Sequence, residues 1–347
     1  MITKFRILDH VRQDGHEAKD IVKNLKWQTD LNFSAGQLTF DLVKAGTPIV
    51  PAQGAIVDFA WDNTNIFWGF VFKSEYKGDN TVSVTAYDFM RYLKSEGSIV
   101  FQSHTLADRV TEVCRRDGVP FRIVNRPSYR VPAEVCDGKT GFDMIKSAID
   151  KTYTATGQRY VLSTNYKIVE LRKAPFFNKQ ELVIDSRTTM TDYTYTESID
   201  NAANVVQVVH KDQKKSQTKT ATASSTTGDD PKTTSFTVAT VRGNTIKQWG
   251  QMIKVENAKE KANFAQMVQQ AKDKLKELNQ IEKTLTVDCI GEPSLVPGSG
   301  ANVYIKDLGL TWKNCPILKA THNFGVDYTC SLEMKVGNKW QENGSTS

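Results

Sequence analysis

Val57-Asp58-Phe59-Ala60-Trp61, a turn at Asp62-Asn63-Thr64-Asn65, and then Ile66-Phe67-Trp68-Gly69-Phe70-Val71-Phe72 decide the fold. In the first run Val57, Phe59 and Trp61 alternate with Asp58 and Ala60; in the second Ile66, Trp68, Phe70 and Phe72 take one face. Period-two alternation on both sides of a turn means paired strands with a buried face. Phe67, Gly69 and Val71 fall between the inward residues, so this strand is expected to be covered on both faces. The pattern extends outward: Leu38, Phe40 and Leu42 alternate with polar residues, as do Val82, Val84 and Ala86. Strands in succession without intervening helices predict an antiparallel barrel or sandwich. We place a first β-barrel at residues 1–95.

The next segment changes character. Thr105-Leu106-Ala107-Asp108 has the form of a capping box, with Asp as a shorter substitute for Glu. Leu106, Val110 and Val113 follow at helical spacing and Gly118 supplies a left-handed stop. A second helix opens at Thr140 with Asp143 three residues on, carries Phe142, Ile145 and Ile149, and ends before Gly157. Tyr160–Leu162 and Tyr166–Leu171 flank Ser163-Thr164-Asn165 as a hairpin. Residues 96–185 therefore read as a small α+β domain.

From 186 the chain turns β-rich again. Val205–Val209 is a short apolar strand, followed by a polar stretch at about 211–234 that has almost nothing to bury and is expected to be a loop. A long helix is predicted over Glu256–Leu278, from the Ala-rich stripe Ala258, Ala262, Ala265, Val268, Ala271, Leu275 and Leu278. Three β runs close the chain: Leu285, Val287 and Cys289; Val303 and Ile305; Cys330, Leu332 and Met334. The last residues, Gln341–Ser347, are expected to fray. Residues 186–347 thus form a second β-barrel carrying the loop and the helix. The fold class is α+β and β-rich: two antiparallel barrels joined by a small α+β insert, a gross symmetry that fits duplication.

Composition limits the function. The 347 residues are 39% hydrophobic and 24% charged, ordinary for a globular protein of two or three domains. A net charge of +6 over 84 charged side chains is too thin to argue for nucleic acid or a membrane surface. No apolar run approaches the ~20 residues that span a bilayer, and no secretory signal is visible. Cys114, Cys136, Cys289, Cys315 and Cys330 are odd in number and far apart, which fits reduced thiols in a cytoplasm.

One stretch matches a nucleotide-binding pattern. Ala133-Glu134-Val135-Cys136-Asp137-Gly138-Lys139-Thr140 fits a P-loop if alanine is allowed first, with Lys139 on phosphate and Thr140 on magnesium. The motif requires a buried strand running into the loop within a parallel sheet. Pro127 and Pro132 break that approach, and Asp137-Gly138-Lys139-Thr140 reads better as a turn feeding a helix N-cap. The five histidines, His10, His16, His104, His210 and His322, have no metal-ligand spacing, and His322 sits among apolar residues as a hydrogen-bonded core residue would. No G-x-S-x-G or catalytic-cysteine context is present, and nothing favours paired carboxylates. Arg115-Arg116 and Lys214-Lys215 are the only basic clusters of note, without interleaved aromatics. The reading is no catalytic residue, no cofactor and no metal, and protein-interface residues that stay unassigned.

The order of four segments resembles a known family. They are Val84-Thr85-Ala86-Tyr87-Asp88-Phe89-Met90-Arg91-Tyr92-Leu93 leading to Thr105; Asp137-Gly138-Lys139-Thr140-Gly141-Phe142-Asp143-Met144-Ile145; Glu197-Ser198-Ile199-Asp200-Asn201-Ala202-Ala203-Asn204-Val205-Val206; and Gly291-Glu292-Pro293-Ser294-Leu295-Val296-Pro297-Gly298 with His322-Asn323-Phe324 and Tyr328–Met334. The chain resembles baseplate hub proteins of contractile-tailed phages, defective prophages and phage-tail-like bacteriocins, in particular the XkdQ/YqbQ-like group. The resemblance implies two tail-tube-like barrels per chain, and a homotrimer whose six barrels cap the hexameric tail tube. It further implies contact with a trimeric spike, the tape-measure protein and other baseplate subunits, and assembly in the bacterial host cytoplasm before incorporation into the tail baseplate. Some relatives continue into a peptidoglycan-cleaving domain; this chain stops soon after Met334, so lytic activity is expected on another polypeptide. The alternative from a different class is a tail-associated peptidoglycan hydrolase. A nucleic-acid module and the hub of a type VI-like spike are further rivals. Neither a membrane nor a specific nucleic acid is expected as a partner.

Overall fold

The structure, a computed structural model, describes residues 1–10, 14–31, 33–43, 51–177, 182–213, 234–258 and 262–337. The expected frayed end and nearly all of the expected polar loop lie outside the described residues. The chain forms two compact units, residues 1–195 with 284–347, and residues 196–283.

The larger unit begins with seven strands: β1 (Ile2–Leu8), β2 (Gly15–Glu17), β3 (Val22–Asp30), β4 (Gln37–Val43), β5 (Ile56–Trp61), β6 (Thr64–Tyr76) and β7 (Thr81–Tyr87). The alternation read from the sequence is what orders them: Leu38, Phe40 and Leu42 on β4 and Val82, Val84 and Ala86 on β7 are buried, and their neighbours are not. Every residue of β5 is buried. One face joins Phe5, Phe40 and Phe324 in the main core; the other carries Ile56 against Trp68 and Phe70. The expected double coverage of β6 is present over Ile66–Val71, with two changes: Phe72, expected on the inward face, is exposed, and Ile66 changes face. A register shift opposite Phe59 and Ala60 pairs Phe59 with Phe67 and Ala60 with Asn65. This bulge leaves Ile66 as the extra residue and turns it into the same core as Phe67, rather than onto the face of Trp68 and Phe70.

A 3-10 turn, Phe89–Lys94, capped by Asp88, leads into β8 (Glu96–Phe101), β9 (His104–Thr105), α1 (Leu106–Arg116), β10 (Phe121–Ile123), β11 (Arg130–Val131), β12 (Glu134–Thr140), α2 (Gly141–Thr156), β13 (Tyr160–Asn165) and β14 (Ile168–Lys173). Both helices start where their caps predict. Thr105 and Asp108 satisfy each other's backbone amides, and Thr140 accepts from the Asp143 amide; Gly157 ends α2 in the left-handed region. Caps of this kind contribute about 1 kcal/mol each. Leu106, Val110, Val113, Phe142, Ile145 and Ile149 form one core over the hairpin of β13 and β14.

The remaining elements are β15 (Val183–Asp185), β16 (Met190–Ser198), β17 (Val205–Gln213), β18 (Thr234–Arg242), α3 (Ile246–Trp249), β19 (Ile253–Asn257), α4 (Phe264–Leu278), β20 (Glu282–Ile290), β21 (Gly300–Ile305), β22 (Leu310–Phe324) and β23 (Thr329–Lys335). The large unit is built on a 13-stranded sheet ordered β16-β20-β23-β22-β3-β4-β7-β6-β5-β1-β2, with β21 also on β22 and β15 on β21. The fold is β-rich with a large antiparallel sheet, as expected. Among the described residues the strand path is open, ending on β16 and β2, and closes neither half into a barrel. The two β-rich parts are joined directly. The 15-residue β22 pairs with β21 through Leu310–Pro316, then with β23 on one side and β3 on the other, Lys319↔Asp30 through Phe324↔Leu25.

In the smaller unit, three strands in the order β18-β17-β19 carry α4 on one face. Val206, Val208 and Ala239 meet Met267 and Ala271. The helix expected from Glu256 starts at Phe264. Ile253–Asn257 instead lies parallel to β17, and Asn263 forms a capping box with Gln266 that fixes the helical start. Ala258 and Ala262 pack on this core from outside the helix.

Candidate functional site

The P-loop-like stretch is an antiparallel strand. β12 pairs with β8, and a bulge between Cys136 and Lys139 puts Gly138 at φ 57°. The Gly138 amide donates to Ser98 Oγ at 3.2 Å, and Ser98 Oγ donates to Asp137 at 2.5 Å. Thr140 Oγ1 accepts from the Asp143 amide at 3.1 Å and donates to Asp143 Oδ2 at 2.7 Å. The hydroxyl a magnesium would need is thus part of a helix cap, and the strand is not in a parallel sheet. The stretch is a turn feeding a helix.

His322 is fully buried on β22. Its Nε2 donates to the Leu295 carbonyl at 3.0 Å, which leaves Nδ1 to accept from the Tyr328 hydroxyl at 2.8 Å. Trp27 stacks on the ring with centroids 5.0 Å apart. Burial pushes the imidazole down to about 4, so it is neutral at physiological pH. Gly291 makes the arrangement possible, because a Cβ there would lie 2.3 Å from the Tyr328 ring. His322 therefore ties the Glu292–Val296 loop to the β22–β3 seam and uses both of its ring nitrogens to do so.

Two buried carboxylates form further ties. Asp58, with no exposed surface, receives Lys4 at 2.8 Å, Arg6 at 2.5 Å and the Tyr166 hydroxyl at 2.7 Å. Burial alone would raise its pKa; the hydrogen bonds from Lys4, Arg6 and Tyr166 outweigh that and hold it below the usual carboxylate range. Glu170 is held by Arg172 at 2.6 Å and by Arg122. Between these ties lies an open cleft of about 390 Å³, lined by Trp27, Ile66, Tyr166, Glu170, Phe176 and Glu292 among others. Glu170 and Tyr166 on its wall are engaged in ion pairs and hydrogen bonds that hold segments of the chain to one another.

Exposed apolar groups supply a different kind of surface. On β6, Phe72 and Tyr76 reach solvent; Val100 and Val135, opposite each other in register on β8 and β12, are 63% and 73% exposed. In the smaller unit, Phe236, Val238, Ile253 and Val255 are exposed, and their register places them on the sheet face away from α4. These residues do not stand out in the sequence, where each reads as an ordinary strand position. Among the described residues no helix is long and apolar enough to cross a membrane.

Known proteins agree with this picture of a β-rich body. The chain is 28% identical over 82% of its length to the uncharacterised protein YqbQ of Bacillus subtilis, covering 81% of that protein. Its fold is similar to that of a 43 kDa tail protein of prophage MuSo2 from Shewanella oneidensis, with a TM-score of 0.65 at 10% identity, covering 95% of this chain and 98% of that one. It is also similar to an E. coli type VI secretion system component described as structurally similar to bacteriophage T4 tail proteins, with a TM-score of 0.54 at 11% identity over 92% of this chain and 74% of that one. The YQBQ-like family matches residues 25–335, and the chain belongs to that family.

Proposed function

We propose that this protein is a non-enzymatic structural subunit of a contractile tail, acting as the hub of its baseplate. Three copies form a ring that caps the tail tube and connects it to the central spike. Each β-rich part is a tail-tube-like barrel of that ring, completed by its neighbours, and the tape-measure protein and other baseplate subunits are further partners. Assembly takes place in the bacterial host cytoplasm, followed by incorporation into the tail.

The observation that carries the reading is the ladder of β20, β23, β22, β3 and β4. It welds the two β-rich parts into one stiff sheet, and a subunit that transmits load from spike to tube needs such a member. Likeness of fold to tail and type VI components over more than nine-tenths of the chain supports it. So do the exposed apolar strand positions, since exposed apolar side chains are what an obligate assembly covers.

The test is light scattering on the purified chain mixed with its cognate tube and spike proteins. A complex containing three copies is expected; a chain that stays monomeric with both partners present would overturn the hub assignment. Zymography on bacterial cell walls addresses the enzymatic alternative, with no clearing expected.

A further inference from the structure

Among the five cysteines, two face each other. β20 and β23 keep an unbroken register from Thr284↔Lys335 to Ile290↔Thr329, with Cys289 directly opposite Cys330. The Gly291 amide donates to Tyr328 and the Ile290 amide points away to Thr189, so Cys289 and Cys330 form a hydrogen-bonded pair of the antiparallel ladder. Such pairs hold their Cα atoms at about 5.5 Å, within the roughly 4.4–6.8 Å that a disulfide spans, but their Cβ atoms near the far end of about 4.5–5.5 Å, so closure draws the two strands together locally and the bond carries some strain. Directly opposed side chains share a face. The Cys289 thiol donates to the Cys330 carbonyl at 3.5 Å, and the Cys330 sulfur lies 3.7 Å from His322 Nε2. Cys315 belongs to the same core but pairs with Ala301 on another ladder.

We propose that Cys289 and Cys330 are a redox modification site, dithiol when the chain is made and closed to a cross-strand disulfide once it meets oxidising surroundings. The oxidant is a low-molecular-weight disulfide. One protein thiol loses its proton and attacks a sulfur of the small disulfide, forming a mixed disulfide and releasing one small thiol. The second protein thiol loses its proton and attacks the protein-side sulfur, releasing the other small thiol. The small disulfide is reduced to two thiols as the two cysteines are oxidised.

Closure is slow in the folded state. Both sulfurs are buried, and the neighbouring Cys289 thiol together with desolvation holds the Cys330 thiol in its protonated, unreactive form. The reaction proceeds when the β20–β23 ladder opens or as the chain folds. The bond spans 41 residues, and on chain-entropy grounds closing such a loop lowers the unfolding equilibrium constant by about 10²–10³-fold.

The experiment refolds the full chain from urea in oxidised and in reduced glutathione, then alkylates free thiols in denaturant and maps peptides by mass spectrometry. Two of the five thiols should be lost under oxidising conditions, with a Cys289–Cys330 linked peptide and a raised urea midpoint. Cys289→Ala and Cys330→Ala should each abolish both effects, and Cys315→Ala neither. Five alkylatable thiols after oxidative refolding, or a link that uses Cys114, Cys136 or Cys315, would overturn the proposal.

Discussion

Acidification should weaken the large unit through His322. Its imidazole titrates near 4 when folded and near 6.5 when free. A depressed histidine pKa means that the neutral form is favoured in the fold. The stabilisation is therefore complete above the unfolded value and shrinks as the pH falls from there towards the folded value. Between about pH 7.5 and pH 5 the unfolded chain binds a proton that the folded chain refuses, which removes about 2 kcal/mol. Asp88 works in the opposite sense. Burial pushes its carboxyl from 3.8 up to about 6, so its cost at neutral pH, about 3 kcal/mol, falls to about 1.6 by pH 5. The two trends nearly cancel in the wild-type protein, so its stability alone is uninformative. The assay is urea unfolding of the wild type and of His322→Gln at both pH values. The wild type's advantage over the variant should shrink by about 2 kcal/mol on acidification. An advantage that stays the same within about 0.5 kcal/mol would refute the buried, neutral assignment of His322.

Four other substitutions follow from the geometry of the chain. Asp88→Asn keeps an acceptor for the Met90 amide but turns a donor towards the Gly36 amide, and it removes the titration, so the wild type should gain on the variant by about 1.4 kcal/mol between pH 7.5 and pH 5, read by urea unfolding. Asp58→Ala strips Lys4, Arg6 and Tyr166 of their common partner; because both cations are partly exposed, the loss should be about 2–3 kcal/mol, and it should fade as the pH falls through the depressed folded value, below 3.8. At the P-loop-like stretch the effects should be reversed from those of a nucleotide site: Thr140→Ala should lose about 1 kcal/mol of stability as a removed cap, whereas Lys139→Ala should change stability by under about 0.5 kcal/mol, with calorimetry showing no nucleotide-dependent difference between either variant and wild type.

What can be read from the sequence is local. The caps at Thr105 and Thr140, the stop at Gly157 and the alternation along β4 and β7 are all set within one turn or one strand, and the structure has them in place; β5, read as alternating, is buried on both faces. Ile66 changes face because a single extra residue in β6 shifts everything before it, and a bulge has no strong signature in a run that is apolar on both faces. β22 has no clear strand signature. Asn314 takes a positive φ and Pro316 follows it, two residues that read as punctuation, yet the strand continues through both because its two halves serve different partners. Ile253–Asn257 overlaps the expected helix since Ala258 and Ala262 continue the helical spacing upstream of the Asn263 cap.

The candidate surfaces are the least legible. The β22–β3 seam joins residues almost 300 positions apart, and the buried Asp58 tie draws on β1, β5 and Tyr166. Such meetings are decided by tertiary packing, which leaves no periodic trace. The apolar residues that stay exposed, Val100 and Val135 among them, are indistinguishable in sequence from those that are buried. The family resemblance is legible through the order of its segments, and the match over residues 25–335 bears it out.

The most direct test of the hub role is an electron-microscopy map of assembled tail particles with this subunit located in it. Three copies at the spike end of the tube, with the continuous sheet of each copy facing its neighbours around the axis, are the expected result. Complete particles in which that position is filled by another protein, or tails that form with this chain absent, would contradict it.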